Sequence, residues 1–336
     1  MNRRFLMSLI AIALLAPIVL AGQAQVPAAR TAKPFAPSKT PWGDPDLQGT
    51  WTSDDSIGVP MQRPAAAGTR LTATDEEIAQ RQANIARQED GREQEFAAPD
   101  ARVGTGPPSH WGEGARRPSK QTSLIIDPPD GRQPALTPEA QQRQAAVQKR
   151  RQGVPGSWED RSFYDRCLSR GLAGSILPVI YGNGQQIVQA PGHVVILSEM
   201  IHEARIIPLD GRPRVGQNIR TYMGDSRGRW EGSTLVVETG NFLDGKTGIG
   251  LNGGGVPTSD ALRIVERFTR TGANQIDYEM TIEDPKTFTK PWKVAFPLTK
   301  ETGYANFEYA CHEGNYALNN ILSAARAEEK AAAEKK

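Results

Sequence analysis

A strict alternation of apolar and polar residues in the second half of the chain most constrains its fold. The apolar positions of the clearest segment, residues 275–283, are Ile276, Tyr278, Met280 and Ile282. A period of two predicts a strand with one buried face and one face in water. Residues from about 185 to 310 therefore predict several strands that share one core.

Turn dipeptides separate these β-branched and aromatic runs. The predicted strands cover residues 186–190, 193–200, 204–208, 229–231, 233–239, 262–270, 275–283, 292–298 and 304–310. Hairpins that follow one another without helices between them favour an antiparallel up-and-down β-barrel, with a two-sheet sandwich as the alternative. We therefore predict a mainly β fold with peripheral helices and a C-terminal helix.

The rest of the chain predicts helices and a wrapping segment. Residues 74–77 have a capping-box pattern that predicts a polar surface helix to about residue 94. Thr137-Pro138 predicts the start of a second helix, which ends near residue 152. We expect a first strand with helical and Pro/Gly-rich segments over residues 42–160, and an antiparallel β domain with its closing helix over residues 161–330.

The N-terminus resembles an export signal. Residues 1–24 combine a short basic start, an apolar run and small residues that fit cleavage after Ala21 or Ala24. An uncleaved anchor helix is the alternative, although Pro17 interrupts the run. We expect a periplasmic or secreted protein with no transmembrane segment once mature, and a disordered lead-in over residues 25–41.

Export determines how the two cysteines are interpreted. Unpaired thiols are uncommon in oxidising compartments, so we predict a disulfide between Cys167 and Cys311. The alternative is a nucleophilic Cys311 that works with the adjacent His312. The first interpretation would tie the middle of the chain to its end.

Charge and glycine patterns exclude several functions. Lys and Arg number 40 against 38 Asp and Glu, and loss of Arg3 and Arg4 with a leader makes the balance even. A chain without net basic charge is not expected to bind nucleic acid.

The Gly-rich residues 248–255 lack the lysine of a phosphate loop and predict a flexible lid or an exposed hairpin connection. We expect no cofactor.

Two resemblances can be traced to particular residues. The Gly-x-Trp pattern at Gly49 and Trp51 resembles the first strand of lipocalins and related calycin barrels. Residues 127–132, 205–213, 224–232 and 307–316 resemble segments of an uncharacterised exported bacterial family. The first resemblance implies a calycin-like barrel, and the second implies no activity.

The histidines and a glycine-bounded segment supply candidate polar residues. His202 and His312 are each followed by a glutamate, but the spacing of a helical zinc motif is absent, so we expect no metal. On a strand, His202 and Glu203 would point to opposite faces. Residues 224–232 predict either a loop that presents Asp225 as a base and Arg227 as an anion clamp, or a tight hairpin loop. The ligand-binding candidates in that segment are Arg227, Arg229 and Trp230.

The favoured site depends on the predicted disulfide. That bond would place the segment around Cys167 beside the segment around Cys311, and so bring together Tyr164, Asp165, Arg166, His312 and Glu313. Histidine and carboxylate side chains carry out acid–base catalysis when they are held in contact. Alternatively, these residues only cap the closing helix.

Three functions remain open at this point. The first is a barrel that binds a small amphipathic ligand. The second is a hydrolase, lyase or isomerase that uses a His/acid pair on a carbohydrate or aromatic substrate, with catalytic candidates His312, Glu313, Tyr164, Asp165, His202 and Asp225. The third is a structural component of the envelope. Enzymatic activity is therefore uncertain, and the expected partner is a small molecule.

Overall fold

The computed structural model describes residues 35–97, 112–251 and 254–335. Its strands are β1 (Gly49–Thr52), β2 (Ile125–Asp127), β3 (Gln185–Ala190), β4 (His193–Ser198), β5 (Ala204–Pro208), β6 (Asp225–Glu231), β7 (Thr234–Gly240), β8 (Gly248–Ile249), β9 (Val256–Pro257), β10 (Arg263–Gly272), β11 (Gln275–Glu283) and β12 (Trp292–Lys300). Its α-helices are α1 (Asp75–Ala97), α2 (Pro138–Gln152), α3 (Gly171–Ile176) and α4 (Tyr316–Glu334). The predicted signal peptide lies outside the described residues.

Nine strands form one antiparallel sheet in the order β5-β4-β3-β1-β12-β11-β10-β7-β6, and β2 pairs with β12. The sheet curls into a nearly closed barrel. At the closure Gly228 of β6 lies against Ile207 of β5, where an added Cβ would be 2.8 Å from Ile207 Cγ2. The predicted mainly β barrel is confirmed.

The barrel interior is filled by the apolar positions of the alternating strands. Phe268, Tyr278 and Phe296 occupy matching positions on β10, β11 and β12. Their ring centroids lie 4.9 Å and 5.1 Å apart in tilted arrangements, and each side chain is buried. Tilted aromatic pairs at such distances add to the stabilisation from burial.

A buried ion pair crosses this interior from β5 to β10. Arg205 donates to Glu266 through both terminal nitrogens, at 2.6 Å and 3.0 Å, and the Tyr278 hydroxyl donates to the same carboxylate at 3.0 Å. The side chain of Glu266 is 0% exposed and that of Arg205 is 5% exposed. Burial of such charges is tolerated because each has a hydrogen-bonded partner.

One predicted strand is wrong. Residues 304–310 contain no strand, because the neighbouring β12 already pairs with β11 on one edge and with β1 and β2 on the other. Two aromatic side chains of this segment instead contact the end of the barrel where β3 begins and β4 ends, which we call the barrel mouth. There the Tyr304 hydroxyl donates to the Glu199 carboxylate, and the Tyr309 ring stacks on Tyr181 with centroids 6.5 Å apart.

Residues 225–231 form strand β6 rather than a loop. Every residue of β6 pairs with β7, and alternate positions Ser226 and Gly228 are buried. The Gly-rich residues after Thr247 form the β8–β9 hairpin, of which residues 252–253 lie outside the description. The prediction of a hairpin connection there is confirmed.

The predicted helices are present, and the capping box that starts α1 is confirmed. Thr74 Oγ1 accepts from Glu77 N at 3.2 Å, and Glu77 Oε2 accepts from Thr74 N at 2.8 Å. Part of the predicted disordered lead-in is ordered, because Thr40 is buried and its N–H donates to Asp44 O at 2.9 Å. Residues 25–34 of that lead-in lie outside the described residues. Among the described residues, no helix combines the length and apolar character needed to span a membrane.

Candidate functional site

The predicted disulfide is confirmed and organises the candidate site. Cys167 and Cys311 are bonded, so Cys311 has no free thiol and the nucleophile interpretation is wrong. Next to the bond, Asn315 Nδ2 donates to Asp165 O at 2.9 Å. The segment before Cys167 is therefore held against the start of α4, as predicted.

A cleft of about 390 Å³ opens beside this junction, and we call it the cationic cleft. Its walls are the end of α2, the segment 158–170 and the β8–β9 hairpin with the loop before it. Its cationic side chains are Arg150, Arg151, Arg161, Arg166, Arg170 and Lys246, its acidic ones are Glu159 and Asp160, and its aromatic ones are Trp158, Phe163, Tyr164 and Tyr222.

Local structure positions Arg166 at the centre of the aromatic wall. A 3₁₀ turn begins at Trp158 and is fixed by a capping box between Ser157 and Asp160, in which Asp160 Oδ2 accepts from Ser157 N at 3.2 Å. The Arg166 guanidinium carbon then lies 4.2 Å from the centroid of the Trp158 ring and 5.2 Å from that of Phe163. Contacts of this kind are cation–π interactions.

The cleft carries cations that lack carboxylate partners. Arg150, Arg151, Arg166 and Lys246 make no ion pair with any described residue. Arg161 is 3.6 Å from Asp165, so it is already paired. Clefts lined by one sign of charge raise the local concentration of ions of the opposite sign. The lining of this cleft carries six cationic against two acidic side chains, so its charge is predominantly positive.

Two partly buried tyrosines and the buried Arg170 form a cluster at the cleft, whose lining includes Tyr164 and Arg170. The Tyr164 and Tyr181 hydroxyls are 2.9 Å apart, and the Arg170 guanidinium carbon is 4.7 Å from the Tyr164 ring centroid. Burial raises the pKa of Tyr164, and the bond to Tyr181 raises it further. Burial also lowers the pKa of Arg170, which is 1% exposed. The Tyr164 phenol therefore acts as a neutral hydrogen-bonding group at neutral pH.

The predicted histidine candidates lie outside the lining of the cleft. His312 and Glu313 are exposed on the turn before α4, and no described carboxylate forms an ion pair with the ring of His312 or His202. His202 ends a 3₁₀ turn rather than lying on a strand, and its Nδ1 is 3.3 Å from Tyr309 O. Their catalytic roles stay predictions.

The Glu203 side chain is partly buried and bonds to the segment that carries Arg170. Its carboxylate accepts from Ser169 Oγ at 2.7 Å and from Arg170 N at 3.4 Å. Burial raises the pKa of Glu203. Its bond to Arg170 N thus helps to hold the backbone that carries the buried arginine.

The candidates on β6 make ion pairs of their own and do not line the cationic cleft. Arg227 donates to Asp225 at 2.7 Å, and Asp225 accepts from Val215 N at 2.9 Å. Arg229 pairs with two glutamates of the same face, and Trp230 packs partly against the core. These contacts give the residues of β6 structural roles. Because none of these residues lines the cationic cleft, their positions do not support the predicted roles in ligand binding.

A second polar cluster was not found by sequence reasoning. Asn183 Nδ2 donates to Asp54 Oδ1 and to Glu113 Oε2, both at 2.9 Å. Burial and the neighbouring Asp54 carboxylate raise the pKa of Glu113 to about 7. The three residues belong to distant segments without a shared motif, so no sequence signal points to them.

Metal binding has no structural support in the parts of the chain that the structure covers. There, no group of three or more His, Cys, Asp or Glu side chains is placed to hold a metal ion. His110 lies outside these residues.

Comparison of the chain with protein-family models, with curated proteins and with solved structures gave no match.

Proposed function

We propose that this protein binds a small anionic molecule with an aromatic or sugar ring in the cationic cleft. The observation that carries the proposal is the set of four cations without carboxylate partners, Arg150, Arg151, Arg166 and Lys246. Elsewhere on the surface, arginines such as Arg229 and Arg267 are neutralised by glutamates. Unneutralised like charges in one cleft repel one another, and a bound anion removes that repulsion.

The aromatic side chains of the cleft are the reason we expect the ligand to contain a ring. Trp158 is 48% exposed although it belongs to a fixed turn, and Phe163 packs on Tyr222 with centroids 5.3 Å apart. Flat apolar surfaces beside a few charged groups are typical of pockets for small molecules. The volume of about 390 Å³ lies within the range of such pockets.

The ligand is amphipathic, as the sequence suggested, but its site lies outside the barrel. Arg205, Glu266 and Tyr278 form one hydrogen-bonded group inside the barrel, so side chains occupy that region. The cleft, in contrast, is open to solvent on one side. We further propose that the protein works in the periplasm or outside the cell, which the disulfide supports.

Calorimetric titration tests the proposal. The probes are benzoate, phenyl phosphate, glucuronate and glucose 6-phosphate, each compared with phenol or glucose as a neutral analogue. The variants are Arg166→Gln and Lys246→Gln, with Arg267→Gln as the control because Arg267 pairs with Glu231 on an outer sheet face.

We expect at least one acid to bind more tightly than its neutral analogue. Each cleft variant should weaken that binding about 10-fold or more, because a hydrogen bond to a charged group contributes roughly 1.5–3 kcal/mol. The control should bind as the unaltered protein does. Equal binding of acids and neutral analogues, or unchanged binding in both cleft variants, would contradict the proposal.

A further inference from the structure

Residues 113–117 cross from helix α1 to the mouth of the barrel, and we call them the strap. On the helix side, Arg92 Nη2 donates to Glu113 O at 2.8 Å. On the barrel side, Glu113 N donates to Ile180 O at 2.6 Å. The strap therefore connects α1 to the barrel.

Carboxylates of the barrel mouth hold the far end of the strap. Asp55 Oδ1 accepts from Arg116 N at 3.2 Å and from Arg117 N at 3.3 Å, and the Arg117 side chain pairs with Asp55 at 2.7 Å. Arg116 Nη1 lies 2.7 Å from Glu301. These contacts fix the far end of the strap to the barrel.

The Glu113 side chain is the central attachment. Its Oε1 accepts from Gly182 N at 2.9 Å, and its Oε2 accepts from Asn183 Nδ2 at 2.9 Å. Asp54 Oδ1 accepts from the same Asn183 Nδ2 at 2.9 Å, so the carboxyl groups of Glu113 and of the buried Asp54 lie against one amide. Two carboxyl groups that share one site repel each other when both are ionised, which favours a proton on one of them.

We propose that the strap is a pH-sensitive latch, closed while the Glu113 carboxyl group is protonated and loosened when it is ionised beside Asp54. A cavity of about 530 Å³ lies between the strap and α1, lined in part by Ile85, Glu89 and Arg92. Loosening the strap moves one wall of this cavity, which is already open to solvent. The latch operates whether or not the cationic cleft binds an anion.

The charges around Glu113 do not compensate a second negative charge. The charged or titratable groups that face it are Asp54 of the barrel mouth, Glu89 and Arg92 of α1, Arg116 of the strap, and the pair Glu199–Tyr304. Arg92 lies 3.6 Å from Glu89, and Arg116 is engaged by Glu301. Each nearby cation thus has another carboxylate partner.

The direction of the pH effect follows from the raised pKa of Glu113. Burial and Asp54 raise this pKa from 4.5 to about 7, so the closed latch binds a proton that the open strap releases. The contact is fully present below about pH 4.5 and is lost as the pH rises through about 7. The opening constant should rise up to about tenfold per pH unit between these values.

Hydrogen exchange of the full chain at pH 5, 6, 7 and 8 tests the latch. After correction for intrinsic exchange rates, the opening constant of peptides over the strap should rise about 10-fold or more from pH 5 to pH 8. Peptides of the β10–β11 hairpin provide the reference. Glu113→Gln keeps the hydrogen-bonding shape without an ionisable group, and should make the opening constant independent of pH.

Glu89→Gln is the matched control, since Glu89 lines the same cavity without joining the carboxyl pair; it should retain the pH dependence. If Glu113→Gln does not fold, Asp54→Asn decides the question: removal of the neighbouring charge should move the transition to lower pH. The latch is refuted if strap opening in the unaltered protein is the same at pH 5 and pH 8. It is also refuted if Glu113→Gln, or Asp54→Asn in its place, retains the unaltered transition.

Discussion

Removal of one charge from the ion pair inside the barrel should cost more stability than removal of both. In the variant Glu266→Gln, Arg205 keeps its charge at a side chain that is 5% exposed, but loses the carboxylate that accepts its bonds at 2.6 Å and 3.0 Å. Loss of one member of a buried pair leaves an uncompensated charge and typically costs about 3–5 kcal/mol. Glutamine still accepts a hydrogen bond from Tyr278, so that contact does not add to the loss.

The double variant Arg205→Met/Glu266→Gln provides the comparison. It contains neither charge, and methionine fills much of the arginine volume. We expect its free energy of unfolding to lie closer to that of the unaltered protein than Glu266→Gln does. The coupling between the two sites should be about 2 kcal/mol or more.

Urea unfolding at pH 7 with the disulfide intact measures these free energies. A loss below about 1 kcal/mol in Glu266→Gln would refute the reasoning, because it would show that Arg205 finds water or another acceptor. Additive losses in the double variant would likewise show that the two charges do not compensate each other.

Three further predictions concern stability. Replacement of both Cys167 and Cys311 by serine should lower the free energy of unfolding by roughly 4–5 kcal/mol, measured by urea unfolding, because the bond closes a loop of 144 positions; no loss would contradict this. Gly228→Ala should cost about 1–3 kcal/mol in the same assay, since its Cβ would lie 2.6 Å from Leu209 Cδ2, and an unchanged midpoint would show that the barrel closure can relax. Thr74→Ala should cost about 1 kcal/mol and increase hydrogen exchange in the first turn of α1 only, whereas a change spread over the barrel would oppose a local capping role.

The barrel could be predicted because its signal is local. In β11 every second residue is apolar, and the structure places Tyr278 and Met280 inside. Turn residues located the hairpin ends less accurately: β10 extends to Gly272, two residues beyond the predicted end, because Gly272 still pairs with Gln275. Pairing at a turn depends on the partner strand, which local pattern does not specify.

The erroneous strand shows where local pattern fails. Residues 304–310 are aromatic enough for a strand, but neither edge of β12 was free to pair with them. Strand order is a tertiary property, since β1 from the start of the chain lies between β3 and β12. A local pattern does not contain that information.

The candidate site was only partly predictable. The disulfide followed from two cysteines and expected export, and it correctly brought the Tyr164 segment beside α4. The cationic cleft also needs Lys246 and the end of α2, which approach that segment only in the folded chain. The carboxyl pair of Asp54 and Glu113 is likewise formed by folding alone, from residues 59 positions apart.

A crystal structure of the complex with the tightest-binding acid tests the central claim most directly. We expect the acid group to lie within hydrogen-bond distance, about 2.7–3.2 Å, of Arg166 or Lys246, and the ring to lie against Trp158 or Tyr222. An acid found in the cavity between the strap and α1, or inside the barrel beside Glu266, with the cationic cleft empty, would contradict it.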